Sequence, residues 1–163
     1  MEAALRKCLT ALEKGGVRYL IVGGVAVVLH GHLRATADLD LVLHLEPENV
    51  QLALEGLGRA GFEPVVPVAL EDFAEPEKRR QWKTNRNMLV FSLWHPDDPV
   101  FKVDIFVEEP LNFEAAWERR VRAMLPGLEV SVVDLEDLIT LKEDAGRPQD
   151  LADVHALRRR RPT

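Results

Sequence analysis

At 163 residues, with 47% hydrophobic and 29% charged side chains, the chain has the size and composition of one ordinary domain, 1–163, with enough length to bury its own core. Its net charge of −6 argues against wholesale binding of duplex DNA, and no apolar run approaches the roughly 18–20 residues of a membrane span. A single cysteine excludes an internal disulfide, and the opening MEAALRKCLTALEKGG has the pattern of an amphipathic helix instead of a secretory signal, so a cytoplasmic protein is expected.

Taken in chain order, residues 2–14 predict a helix with Ala4, Leu5, Cys8, Leu9 and Leu12 on one face, stopped by Gly15-Gly16. Cys8 is then a small core residue. VRYLIVGG reads as a strand buried on both faces, and GVAVVLHGH, which follows it, as a short helix. DLDLVLHL alternates with period two, placing Leu39, Leu41, Leu43 and Leu45 on one face and Asp38, Asp40, Val42 and His44 on the other. A helix from Pro47 to the stop at Gly61 comes next. For 63–86, rich in proline and then in basic residues, an extended segment, a loop and at most a short helix are expected.

NMLVFSLWH and VFKVDIFVEE predict a hairpin turning at PDDP. NFEAAWERR predicts a helix capped by Asn112, LEVSVV a strand, and DLEDLITLKEDAG and RPQDLADVHALRRRR two closing helices, the first with Asp134 and Asp137 at its start. The order indicates an α/β (α+β) fold, a mixed sheet flanked by helices.

The chemistry lies in TADLDLVLHL. Side chains two apart on a strand share a face, so Asp38 and Asp40 present paired carboxylates, a donor set suited to magnesium, which prefers oxygen ligands and retains substrate phosphates and water. An Asp-x-Asp pair alone is more often simply solvated. Asp104, set between Val103 and Ile105, becomes a third carboxylate if its strand lies beside 38–45. Gly23-Gly24 at a strand-to-helix junction lets backbone N–H groups approach a phosphate, although a plain turn uses the same residues.

These residues resemble the nucleotidyltransferase superfamily related to polymerase β, in its small prokaryotic branch of AbiEii-type, minimal and lincosamide-type nucleotidyltransferases. The likeness rests on GGVAVVLHGHLRATADLDLVL and KVDIF, on R-x-T-x-D-x-D at Arg34, Thr36, Asp38 and Asp40, and on K-x-x-x-G-R-x-x-D at Lys142, Gly146, Arg147 and Asp150. It implies a nucleotidyltransferase-like fold and transfer of a nucleoside monophosphate from an NTP to an acceptor hydroxyl. Gly23 and Gly24 would hold the triphosphate, with Arg34, Thr36 and Lys142 around it. Asp38, Asp40 and Asp104 would bind two Mg2+ ions about 3.5–4 Å apart, and Asp104 would help deprotonate the acceptor. Val25 departs from the serine frequent after the glycines, so a hydroxyl bond to phosphate is missing.

The resemblance leaves the acceptor open among a small molecule, a tRNA end and a protein side chain. It also supports a second reading, a binding module that is the antitoxin or regulatory half of a pair with a helical toxin. A homodimer would supply acceptor surface that larger transferases append as helices. Elsewhere, His30 and His32 lack partners at zinc-site spacing, His30 being expected to pack. Lys78–Arg86 around Trp82 reads as a solvated segment or a nucleic-acid track, and the run at 158–161 as a complement to the last helix dipole.

Overall fold

Tyr19–Val22 is an apolar tetrapeptide with every residue buried, as a strand covered on both faces must be, and it forms β1 near the middle of the sheet. The computed structural model describes residues 2–159. Around β1 run β2 (Asp38–Leu43), β3 (Glu63–Pro64), β4 (Val90–His95), β5 (Asp98–Phe106), β6 (Val121–Leu125) and β7 (Leu128–Val132), in the order β3-β4-β5-β2-β1-β7-β6. The sheet is mixed: β1 pairs antiparallel with β2 and parallel with β7, while β2 pairs parallel with β5.

The helices are α1 (Glu2–Lys14), α2 (Gly23–Leu29), α3 (Pro47–Arg59), α4 (Pro76–Arg86), α5 (Phe113–Arg119), α6 (Leu135–Ala145) and α7 (Pro148–Arg158). On α1 the predicted stripe is realised, with Ala4, Cys8, Leu9 and Leu12 buried and Leu5 partly so; burial pushes the Cys8 thiol pKa well up, so it stays a neutral core residue. α1 packs against α3, β5 and β7, and α2 against β1, β2 and α6. Asn49 of α3 fixes the β1–β2 edge by accepting from the Arg18 N–H and donating to the Arg18 and His44 carbonyls. Caps follow the sequence: Asn112 accepts from Ala115 N–H and Asp134 from Glu136 N–H, whereas Asp137 pairs with Arg119.

Three elements differ from expectation. Residues 76–86 form a full helix because Pro76 opens it, Asn87 ends it at φ 49°, and Trp82 is buried with its ring stacked on Phe91 at 5.2 Å. Arg79 is buried beside it and donates to the Phe73 carbonyl, so a segment that is basic by composition still has an inner face. Trp82 is therefore no stacking platform for a base. β6 is an added edge strand, joined to β7 by the Pro126-Gly127 turn with Gly127 at φ 74°. In the β4–β5 hairpin the turn tightens to Pro96-Asp97, because Asp98 already pairs with His95. Of the basic run at 158–161, Arg160 and Arg161 lie outside the described residues. Among the described residues no helix is long and apolar enough to cross a membrane.

Candidate active site

Parallel pairing of β2 with β5 sets Asp40 opposite Asp104 and Asp38 opposite Lys102. The arrangement arises from period-two alternation: the core takes Leu39, Leu41, Val103 and Ile105, and Asp38, Asp40 and Asp104 are left on the opposite face. Asp104 is also steadied from β4, its register partner Ser92 donating through Oγ to Oδ1 at 2.5 Å. Ser92 escaped the sequence reading; the alternation in VFSLWH, which puts a small hydroxyl on the acidic face, was its signal.

Gly23 turns the chain from β1 into α2 at φ 62°. A Cβ there would lie 1.9 Å from Asp40 Oδ2, so the carboxylate occupies the space a side chain would need. The Gly24 N–H lies close enough to that same carboxylate to favour its charged form. At Gly24 a Cβ would meet Thr36 Oγ1 at 2.5 Å and Arg34 Nη2 at 2.7 Å. Glycine is thus required twice in succession, once for conformation and space, once for space alone. Gly23→Ala should displace the Asp40 carboxylate by an ångström or more, read in a crystal structure of the variant; an undisturbed carboxylate there would show that the close approach is idle.

Gly23, Gly24, Arg34, Thr36, Asp38, Asp40, Asp104 and Lys142 all line one open cleft of about 440 Å³. Residues from α6 and α7 close its other side. Lys142 is buried, its Nζ 2.8 Å from both Asp150 Oδ1 and Asp153 Oδ2. Arg147 Nε bonds Asp150 at 2.6 Å, and Arg34 Nε lies 3.1 Å from Asp153 Oδ1, which also accepts from Gln149. Charges therefore alternate from Arg34 through Asp153, Lys142 and Asp150 to Arg147. Lys142 is held between two carboxylates, whereas Arg147 lines the cleft with most of its side chain exposed. Asp153, fully buried, is a second residue that the sequence reading missed; it sits one turn after Asp150 on α7.

The electrostatics separate the two sides of the cleft. Burial, then repulsion from Asp104 and Asp38, pushes the Asp40 pKa up to about 6, against relief from the Gly24 N–H. Asp104 is raised as well, by burial and then by Asp38, with Ser92 opposing. Burial alone would raise Asp150 too, but hydrogen bonds from Arg147 and Lys142 outweigh it and hold that carboxyl below its usual range. On one wall the cations are paired with Asp150 and Asp153, while on the other burial and mutual repulsion outweigh the pull of Lys142 on Asp40 and of Lys102 on Asp104.

The uncompensated oxygen set suits a hard divalent cation such as Mg2+. Among the described residues no group of three or more His, Cys, Asp or Glu side chains is already gathered as ligands, so an ion would draw Asp38, Asp40 and Asp104 together against their mutual repulsion. His30 packs as expected, its Nε2 2.8 Å from the Val133 carbonyl, with His32 in the loop before β2.

Residues 4–158 match the profile of a family described as "Nucleotidyltransferase of unknown function (DUF6036)". The structure is similar to that of the lincosamide antibiotic adenylyltransferase LnuA bound to lincomycin, at 17% identity over 97% of this chain and 96% of that one, with a TM-score of 0.63. It is also similar to a candidate nucleotidyltransferase from Thermotoga maritima (14% identity, 98% and 93% covered, TM-score 0.59). A third likeness is to ANT(2'')-Ia in complex with adenylyl-2''-tobramycin (15% identity, 94% and 84% covered, TM-score 0.56). Likeness at these identities is one of fold. No curated protein sequence matches the chain.

Proposed function

The chain belongs to the DUF6036 family of nucleotidyltransferases, and from that premise we propose that it transfers a nucleoside monophosphate from a magnesium-bound NTP to an acceptor hydroxyl, releasing pyrophosphate. The observation that carries this reading is the Asp40–Asp104 pairing beneath Gly23, with both carboxyl pKa values raised because burial and mutual repulsion outweigh the pull of Lys142 and Lys102.

Asp38, Asp40 and Asp104 would hold the metal. Mg2+ supplies charge neutralisation at the attacking and leaving oxygens of an in-line displacement. The protein does the rest. Gly23 and Gly24, which line the cleft at the start of α2 with Asp40, Thr36 and Arg34 packed against them, would hold the triphosphate through the backbone. Arg147 from α7 and Arg34, beside Gly24 and Thr36, take its charge. Asp104, held by Ser92, accepts the proton of the attacking hydroxyl, for which a carboxylate with a raised pKa is better matched than an ordinary one. Lys142 acts from within the wall, fixing Asp150 and Asp153 and through them the two arginines.

Thermal unfolding with Mg2+ and each NTP tests the reading without knowledge of the acceptor. At a hundred times its dissociation constant the preferred NTP should stabilise the native state by about 2.7 kcal/mol, and the gain should vanish without Mg2+ and in Asp38→Asn. An equal shift in that variant would place the nucleotide elsewhere and sink the assignment.

A further inference from the structure

On β4, Phe91, Leu93 and His95 are buried whereas Val90, Ser92 and Trp94 are half-buried; on β5, Phe101, Val103 and Ile105 are buried, Asp104 and Phe106 half-buried and Lys102 exposed. One face of this half of the sheet is therefore core, and the other meets solvent. The register sets two rows across the wet face, Asp40, Asp104 and Ser92 in one and Asp38, Lys102, Trp94 and Glu63 in the next. The first row is continued by Val65, 46% exposed, whose N–H donates to the Ser92 carbonyl. The wet face thus begins at the carboxylates of the cleft and runs out to β3.

Its Lys102 and Trp94 are uncommitted. Among the described residues Lys102 has no carboxylate at ion-pair distance, and Trp94, unlike Trp82 and Trp117, has no ring or guanidinium against it. A free ammonium beside an open indole can take an anionic group and a planar ring together.

We propose that this face is the acceptor subsite, with Lys102 and Trp94 as its binding residues, and that the acceptor is a small compound joining one anionic group, a planar ring and a free hydroxyl. The inference rests on the transferase reading and names its missing substrate. Gly23, Gly24 and Arg147, assigned there to the triphosphate, stand on the β1 and α7 side of the carboxylates, and an in-line displacement sets the attacking and leaving oxygens on opposite sides of the phosphorus. The acceptor then arrives over β4 and β5, where Asp104 is the carboxylate it meets. Its hydroxyl oxygen attacks the α-phosphorus of the NTP while the bond to pyrophosphate breaks with its electron pair, and the hydroxyl proton passes to Asp104. Lys102, two residues from Asp104 and so about 6–7 Å along the strand, receives the anionic group; Trp94, one strand over, receives the ring. A single free cation bounded by Glu63 and the aspartates suits one phosphate and not a polyanionic strand, which needs several.

The test uses the full chain with saturating Mg2+ and the NTP that gives the largest thermal shift. Its probes share ribose hydroxyls: adenosine 5′-monophosphate, adenosine, which lacks the phosphate, and ribose 5-phosphate, which lacks the ring. Expected are pyrophosphate release that depends on the probe, a mass-detected nucleotidyl adduct, and a kcat/KM roughly tenfold or more higher for the monophosphate than for either of the others. Lys102→Met should abolish the preference over adenosine, and Lys102→Arg should keep most of it. Trp94→Ala should abolish the preference over ribose 5-phosphate, with Trp94→Leu as the second variant should Trp94→Ala not fold. Comparison of probes within one variant cancels whatever the substitution does to Asp104 itself.

Equal use of the probes by the wild type, preferences that persist in the variants, or turnover that rises from the monophosphate to a 5′-phosphorylated oligoadenylate would overturn the proposal. So would an intact Mg-NTP shift with no transfer to any probe. Absence of any Mg-NTP shift in the wild type would overturn the transferase reading itself and the proposal with it, an outcome distinguishable from failure of the subsite alone.

Discussion

Asp40→Asn will silence transfer and at the same time make the metal-free protein harder to unfold. The first effect follows from removing a carboxylate that the proposed reading assigns to the metal: a loss of about 4 kcal/mol in transition-state stabilisation lowers kcat roughly 1,000-fold. The second follows from the raised pKa. Asp40 binds its proton more tightly folded, at about 6, than unfolded, near its usual 3.8. The corresponding stabilisation is fully present below pH 3.8 and is lost as pH rises through 6.

At pH 7.5 the ionised carboxylate therefore costs the empty site on the order of 2–3 kcal/mol, and asparagine, which keeps an acceptor for the Gly24 N–H, removes that cost. A rise of roughly 2–4 °C in Tm per kcal/mol is expected at this chain length. The advantage should disappear below pH 4, where the wild type is protonated, and should shrink when Mg2+ is added at neutral pH. Differential scanning calorimetry from about pH 3 to 8 reads all three, and a variant that is less stable than wild type at pH 7.5 would show that Asp40 is not repelled by its neighbours. The same titration makes metal binding by the wild type weaken as pH falls through about 6.

Lys142→Ala should be the most destabilising single change in the cleft wall. Lys142 is 5% exposed, and Asp150 and Asp153, at 2% and 0%, face its ammonium. Truncation leaves Asp153 with Arg34 and Gln149 alone and takes from Asp150 one of its two cations. Breaking a buried pair in this way costs about 3–5 kcal/mol, visible as a lower urea midpoint with an unchanged slope. Adding Asp153→Asn should recover part of the loss, since it removes one of the stranded charges, so the two changes together should fall short of their sum. A midpoint within experimental error of wild type in Lys142→Ala would mean that the carboxylates are solvated after all.

How much of this was legible in the sequence depended on whether a residue's environment is set locally. Asp38, Asp40 and Asp104 were placed by alternation, and the glycine pair by its position after an apolar strand, because strand period and turn chemistry are properties of a few consecutive residues. The joining of β2 to β5 was only a condition at that stage, and its parallel register is what brings Asp104 across from Asp40. α4 was unreadable for the opposite reason: its single aromatic and the stem of Arg79 become an inner face only once Phe73 and Phe91 are in place. β6 is exposed along most of its length, so its residues carry no strong alternation, and the Pro126-Gly127 turn was its one clear mark. Asp153 carried no signal of its own in the closing helix. Its burial is imposed by Arg34 and Lys142, both distant in sequence.

That last contact bears on how activity appears during synthesis. Arg34 leaves the ribosome early and Asp153 late, and the wall between them cannot form until α7 has emerged and docked against α6. Before then the acidic strand pair can assemble, but the arginines that would receive a triphosphate have no fixed position. The cations of the site are therefore the last of its parts to take a fixed position as the chain is made.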